Sequence, residues 1–311
     1  MRRILVTGAS GFVASHLIPV LRLEFPQAEL ILCGEGQVAL DITDTAAVTA
    51  LVRHHRPDGC VHLAAVSAVP AARRDPGHAW RVNLHGTLAL ADAVLEHAPE
   101  CRLLYVSSAE IYGSSFRAGL RVNEGAPAAP MNTYAATKAA ADLALGAMTG
   151  AGLRVIRVRP FNHTGPGQAA SLAVPAFARQ IVRIKAGLQP AVMEVGALDP
   201  QRDFLDVRDV CAGYVACLRA EGLAADSIFN FSSGIPRRIG DVLDSMLAIA
   251  GVQARVQTGQ ALLRPSDIPL ACGDAARALE VLGWRPTIAW EQTLRDVLDD
   301  WTARVAANPD A

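Results

Sequence analysis

Ile4-Leu5-Val6-Thr7-Gly8-Ala9-Ser10-Gly11-Phe12-Val13-Ala14 begins as a short apolar run, turns through two glycines, and enters a helical pattern that continues to about Leu23. Strand, tight turn and helix follow one another without a gap. Such a turn lets the backbone approach a pyrophosphate, and the helix start offers unpaired N–H groups and the positive end of its dipole. The spacing is GxxGxxA, with Ala14 where a third glycine is common; Ala still permits close packing of helix on strand. A glycine turn carries weight only between a strand and a helix, and that is where this one lies. Gly8, Ser10, Gly11, Phe12 and Val13 are therefore candidate dinucleotide contacts.

The same rhythm repeats downstream. Leu30 to Cys33 reads as a second apolar strand that ends near a ribose, with Glu35 the nearest acid for a 2′-hydroxyl. No Lys or Arg lies between Arg22 and Arg53, so a 2′-phosphate lacks a local cation, which tilts the cofactor towards NAD(H) over NADP(H). Asp41 and Ile42 come next; Asp41 either meets the adenine or simply ends a strand, before a helix capped by Asp44. Cys60 to Ala65 predicts a third strand, closing on Leu63, Ala64 and Ala65, whose small size lets a dinucleotide pass. His62 within it reads as a core histidine, and Asn83, inside a helix expected over 77–97, as an inward-facing residue near the site. Arg102 to Val106 is a fourth strand running into Ser107-Ser108-Ala109-Glu110-Ile111-Tyr112-Gly113, and Leu153 to Arg159 a fifth. Each strand is separated from the next by a helix, which demands an α/β, Rossmann-type, doubly wound parallel sheet.

After Pro160 the character changes. Residues 161–168 predict a long polar loop, and Asp203–Val207 and Phe229–Phe231 read as short strands returning to the main sheet. The expected division is a dinucleotide-binding domain over 1–165, rejoined by 205–232, and a smaller mixed α/β substrate domain over 166–204 and 233–311.

Bulk composition restricts the remaining choices. Apolar residues make up 51% and charged residues 19% of the 311, a globular balance. A net charge of −1 supplies no electrostatic footprint for nucleic acid or an anionic membrane. The six cysteines form no CxxC pair and no metal-ligand cluster with histidine; they read as reduced core thiols of a cytoplasmic protein, with no metal expected. Only three apolar residues follow the basic start, so the N-terminus predicts a strand rather than a secretion signal, and no run is long enough to span a bilayer.

The chemistry is concentrated in Asn132-Thr133-Tyr134-Ala135-Ala136-Thr137-Lys138-Ala139-Ala140-Ala141-Asp142. An Ala-rich helix places Tyr134 and Lys138, four apart, on one face. An ammonium beside a phenol favours phenolate and is expected to pull Tyr134 below its ordinary pKa, towards working pH. Tyr134 is then a candidate to exchange a proton with a carbonyl or alcohol oxygen.

Taken together, the GxxGxxA turn, Ser108 with Tyr112-Gly113 at a strand end, and Tyr134-x-x-x-Lys138 resemble the extended short-chain dehydrogenase/reductases. Arg159-Pro160-Phe161-Asn162-His163-Thr164-Gly165-Pro166-Gly167-Gln168, Met193 to Gly196, Arg202 to Val210 and Arg264-Pro265-Ser266-Asp267 narrow the likeness to reductases of GDP-4-keto-6-deoxy-mannose. The resemblance implies a catalytic triad of Ser108, Tyr134 and Lys138. Tyr134 would protonate the C4 oxygen during hydride transfer from NAD(H) or NADP(H), Ser108 would polarise that oxygen, and Lys138 would hold the nicotinamide ribose. Pro160 would line the cofactor. Asn162, Arg179, Arg202, Arg264 and Asp267 would hold the sugar, diphosphate and nucleoside of a GDP-linked 4-keto-6-deoxyhexose, the guanidinium forks suiting phosphate.

Glu110 stands where sister dehydratases keep a catalytic base. Ser108-Ala109 and Gly165-Pro166-Gly167-Gln168 depart from the dehydratase pattern, however, which favours a reductase with Glu110 as a substrate-hydroxyl contact. The alternatives are a dehydratase or 4-epimerase that recycles its cofactor, and a non-catalytic dinucleotide-sensing module. The family likeness also implies a homodimer through helices 77–97 and 134–149, whose alanines permit close packing.

Overall fold

A computed structural model of the chain describes residues 1–34, 38–259 and 268–310. Its main sheet has six parallel strands in the order Glu29–Cys33, Arg3–Thr7, Gly59–His62, Arg102–Val106, Val155–Pro160, Asp226–Phe231. The central strands are mostly apolar because both faces are covered, as a parallel sheet requires, and the polar side chains they do bury, Thr7, His62, Arg157 and Arg159, are hydrogen-bonded. On one face, helices Phe12–Glu24 and Val207–Arg219 bury Leu17, Leu21, Val210 and Tyr214 against it. On the other, helices Thr45–His55, Thr87–His97 and Thr133–Met148 bury Val48, Leu90, Val94 and Leu145. This is the doubly wound arrangement. The winding direction reverses between the first and third strands, and ligands of such sheets sit in the crevice at that point, beyond the strands' carboxyl ends. Thr7, His62 and Val106 bring the turn at Gly8, the Leu63–Ala65 segment and Ser108 to that crevice.

A separate apolar cluster joins helices Ala173–Lys185, Ile239–Ala250 and Trp290–Ala307 through Phe177, Ile181, Leu243 and Trp301. The C-terminal segment does not stay wholly with it. Ala278 and Trp284 pack into the core of the main sheet, and the Trp284 indole N–H donates to Asp209 O at 2.8 Å.

Two local expectations are corrected. Only Asp226–Phe231 rejoins the main sheet; Gln201–Asp206 lies in a second sheet between Pro236–Arg238 and Leu270–Ala271. Its acids are employed as scaffold. Asp203 accepts from Ser233 N, Gly234 N and Gly273 N at 2.8, 2.9 and 3.2 Å, and Asp206 caps the following helix while accepting from Thr293 Oγ1 at 2.8 Å. Asn162–Thr164, expected as loop, forms a short strand beside Phe204–Asp206. The helix expected over 77–97 is continuous, and within it Arg81–Gly86 is π-helical between the α-helical Pro76–Trp80 and Thr87–His97. Among the described residues no helix is long and apolar enough to cross a membrane, and no metal-ligand cluster occurs.

Candidate active site

The glycine turn is built for close approach. Gly8 has φ +69°, and a Cβ there would stand 2.7 Å from Ala64 N, so any other residue would be both strained and in collision. Helix Phe12–Glu24 starts at Gly11 with no side chain on its first N–H groups. A backbone turn next to Ala64, opening onto uncapped amides, fits a dinucleotide pyrophosphate. Ser10, Phe12 and Val13 lie in or just after this turn, and Leu63, Ala64 and Ala65 directly follow the third strand. Asp41 is exposed and accepts from Thr43 N at 2.8 Å and Thr43 Oγ1 at 2.7 Å, bonds that hold its carboxyl below the usual range; Ile42 beside it is buried. Pro160 ends the buried fifth strand. Glu35 lies outside the described residues.

Behind the turn runs a buried polar chain. Thr7 Oγ1 accepts from Ala64 N at 3.2 Å and, because the neutral His62 ring carries its proton on Nε2, donates to His62 Nδ1 at 2.7 Å. His62 Nε2–H then donates to Thr87 Oγ1 at 2.9 Å, which donates to Asn83 O at 2.8 Å. Burial pushes His62 down to about 3, with the Lys138 charge acting in the same direction; it is a neutral core histidine. Asn83 does not face the crevice. Its amide accepts from Val66 N at 2.7 Å and donates to Val66 O at 3.2 Å and Thr137 Oγ1 at 2.9 Å. It ties the segment after the third strand to the Tyr134 helix, and the π-helical turn gives it that reach.

Helix Thr133–Met148 begins on Asn132, whose Oδ1 accepts from Ala135 N at 2.9 Å. Tyr134, Lys138 and Asp142 follow at successive i+4 positions. Lys138 is only 3% exposed, with Nζ 4.4 Å from the centroid of the Tyr105 ring. Burial pulls it down to about 7, against the opposing Asp142 carboxylate. Tyr134 departs from expectation: its pKa is not drawn down but pushed up to about 12. Burial penalises the phenolate most, Ser108 opposes through a side-chain hydrogen bond, and the nearby Glu110 charge adds to the rise. A lysine that has itself lost much of its preference for the charged form is a weak counter to that burial. The phenol is therefore a firmly protonated acid at neutral pH.

Ser108 caps the short 3₁₀ segment Ala109–Ala118 by accepting from Glu110 N at 3.1 Å, which leaves its own proton to donate. Glu110 Oε2 accepts from Asn132 Nδ2 at 3.4 Å. Burial pulls Arg202 below its usual range while the Glu110 charge opposes this, so Arg202, Glu110 and Tyr134 share one electrostatic neighbourhood. Asn162 stands exposed on its short strand, and this strand is tied back to the glycine turn: Phe12 stacks on His163 at 6.5 Å, and His16 Nε2 donates to Pro166 O at 2.7 Å. Arg179 instead reaches the C-terminal tail, donating to Asp310 O at 3.3 Å. Arg264 and Asp267 lie outside the described residues.

Residues not singled out from the sequence complete the arrangement. Asp142, fully buried, accepts from Arg157 and Arg159, each at 2.8 Å, and Tyr105 lies under Lys138. Asp142 had a signal, a carboxylate in the helical register of Tyr134 and Lys138. Tyr105 had only its place as the one aromatic of the strand Arg102–Val106.

Fold and site together define a nicotinamide dinucleotide-dependent enzyme of the extended short-chain dehydrogenase/reductase type. The chain belongs to the GDP-mannose 4,6 dehydratase family, whose sequence profile matches residues 36–297. It is 36% identical over 305 residues, 98% of both chains, to the GDP-6-deoxy-D-mannose reductase of Pseudomonas aeruginosa. It is 29% identical to the GDP-6-deoxy-D-talose 4-dehydrogenase of Aggregatibacter actinomycetemcomitans, covering 90% of this chain and 91% of that one. Among solved structures it is similar to RMD from Pseudomonas aeruginosa complexed with NADPH, with a TM-score of 0.88 and 35% identity, covering 98% of this chain and all (100%) of that one.

Proposed function

We propose that the protein reduces the C4 ketone of a GDP-linked 4-keto-6-deoxyhexose, giving GDP-D-rhamnose or GDP-6-deoxy-talose. The observation that carries this reading is Tyr134, a half-buried, protonated phenol hydrogen-bonded by Ser108 on the same helix face as Lys138. The reductase and the 4-dehydrogenase to which the chain is similar are both named for GDP-6-deoxyhexoses, which supports the substrate class. A reduced nicotinamide, when bound, would supply the hydride. The chain's own residues do the rest. Tyr134 gives its proton to the carbonyl oxygen, Ser108 donates to the same oxygen as charge develops, and Lys138 stabilises the phenolate left behind. Gly8, Ser10, Gly11, Phe12 and Val13 would hold the pyrophosphate, with Asp41, Ile42, Leu63, Ala64, Ala65 and Pro160 along the rest of the cofactor. Arg202 and Asn162 would meet the substrate, with Glu110 on a sugar hydroxyl, and Arg179, Arg264 and Asp267 would complete the nucleotide site.

The preference for NAD(H) rests on the missing cations between Arg22 and Arg53. The domain division over 1–165 with 205–232, and 166–204 with 233–311, is supported by the separate apolar cluster around Phe177 and Trp301. Six free, buried thiols support a cytoplasmic location. The homodimer reading is supported by Leu143, 59% exposed on the Tyr134 helix; a monomer in light scattering at working concentration removes it.

The test is incubation with GDP-4-keto-6-deoxy-mannose and NADH or NADPH, followed by NMR of the product sugar. Stoichiometric oxidation of one nucleotide and a C4 alcohol are expected. No consumption of either nucleotide overturns the reading, and dehydration of GDP-mannose with no net cofactor oxidation establishes the dehydratase instead. The reduction should also have an alkaline limb. Lys138 is charged below about 7 and loses its proton as the pH rises through that value, so the rate should fall about tenfold per unit above the limb. A rate that stays flat to pH 9 removes Lys138 from this role.

A further inference from the structure

Lys138 is held at both ends by one residue. Tyr105 lies on the central strand Arg102–Val106, fully buried, in register with His62 on one side and Arg157 on the other. Its ring face receives Lys138 Nζ at 4.4 Å from the centroid, and its hydroxyl donates to the Lys138 carbonyl oxygen over a long 3.4 Å. A cation over an aromatic face is drawn to the ring's electron density, more strongly once water is removed, and Lys138 is almost wholly removed from water.

We propose that Tyr105 is a positioning residue for the reaction: its ring face is the seat that keeps Lys138 charged and aimed along the Tyr134 side of the helix. The proposal rests on the reading of Lys138 as the partner of Tyr134. The other groups around the ammonium, among the described residues, leave part of this task to the ring. Asp142, on the same helix, favours the charged form but is already shared between Arg157 and Arg159 of the neighbouring strand. His62, on the strand at the other side, is neutral with both ring nitrogens engaged. Tyr134, one turn back, is a neutral phenol. Among the described residues, the negatively polarised ring face directly under Nζ joins the Asp142 charge in offsetting the cost of burial.

The experiment compares the pH dependence of kcat for ketone reduction in the wild type and three variants: Tyr105→Phe, Tyr105→Leu, and pentafluorophenylalanine installed at position 105. The fluorinated ring keeps the shape of phenylalanine but withdraws the electron density from its face. Tyr105→Phe should leave the alkaline limb in place, because the face is retained. Tyr105→Leu and the fluorinated variant should move the limb down by about one pH unit, in keeping with the worth of a desolvated cation–π contact. If Tyr105→Leu fails to fold, the phenylalanine and pentafluorophenylalanine pair decides alone. Coincident limbs in that pair overturn the proposal, as does a limb displaced in Tyr105→Phe to the same extent as in the fluorinated variant. Lys138→Met serves as the separate control. Undiminished activity there would sink the reading of Lys138 itself, whereas loss there with an unmoved limb in the fluorinated variant sinks only the role of Tyr105.

Discussion

Tyr134→Phe should lower kcat for ketone reduction on the order of 10³-fold while leaving nucleotide affinity within about twofold of the wild type, since a positioned general acid contributes in that range. The substitution removes one oxygen and its proton from a ring whose surroundings are otherwise untouched. The helix keeps its Asn132 cap, and Thr137 still donates to the residue-134 carbonyl at 2.8 Å. What is lost is the phenol that Ser108 hydrogen-bonds one helical turn before Lys138. Ser108 remains able to donate to the substrate oxygen, so a residual rate above that in water is expected from polarisation alone. Steady-state kinetics with nucleotide binding followed by fluorescence separates the two effects. Turnover within tenfold of the wild type would show that the proton comes from elsewhere, and Glu110 would be the group to examine next.

Asp142→Ala should destabilise the fold by about 3–5 kcal/mol, the cost typical of leaving buried charges without their partner. Asp142 is fully buried and accepts from Arg157 Nη1 at 2.8 Å and from Arg159 Nε and Nη2 at 3.1 and 2.8 Å. Arg157 keeps a second carboxylate, Asp226, at 2.6 Å. Among the described residues, Arg159 keeps only neutral acceptors, Tyr112 Oη and Glu124 O, each at 3.0 Å. The larger share of the loss therefore falls on Arg159. Hydrogen bonds and charge from Arg159 and Arg157 hold the Asp142 carboxyl below the ordinary range despite its burial. Its contribution is present at all pH values above the unfolded carboxylate pKa and is lost as the pH falls through the lower folded value. The difference between wild type and variant in urea denaturation should accordingly be full at neutral pH and narrow in acid. A difference below about 1 kcal/mol at pH 7 would mean that the two guanidinium groups find other partners.

The framework of the protein is legible in the sequence because its signals are local. A glycine turn between an apolar strand and a helix needs only neighbouring residues to be read, and so does a tyrosine four residues before a lysine. What escaped reading depends on contacts far apart in the chain. Tyr105 and Lys138 meet across 33 positions, and the phenol's burial, which reverses the expected direction of its pKa, is a property of the assembled crevice. The Arg202–Val210 segment shows the same limit. Its acids stand in a motif that resembles a substrate-binding run, yet Asp203, Asp206 and Asp209 are spent on the backbone of Ser233 to Gly234, on a helix cap and on Thr287. Of this segment's side chains, it is Arg202 that shares the neighbourhood of Glu110 and Tyr134. Asn83 was read as inward-facing and is so, but towards Val66 and Thr137 rather than a ligand, a distinction set by a π-helical turn that no residue type announces.

The six free cysteines, inert in the chemistry, divide among the layers of the molecule. Cys33, Cys60 and Cys101 belong to the core beneath the Tyr134 helix, Cys211 to that beneath the glycine-turn helix together with Cys217, and Cys272 stands beside Asp203. Burial raises all six thiols, so in the closed molecule little thiolate meets an alkylating reagent. Each then becomes a clock for its own layer. The order in which mass spectrometry finds them labelled is the order in which the two faces of the main sheet and the surroundings of Asp203 in the second sheet breathe open, read from the native chain without introducing a single probe.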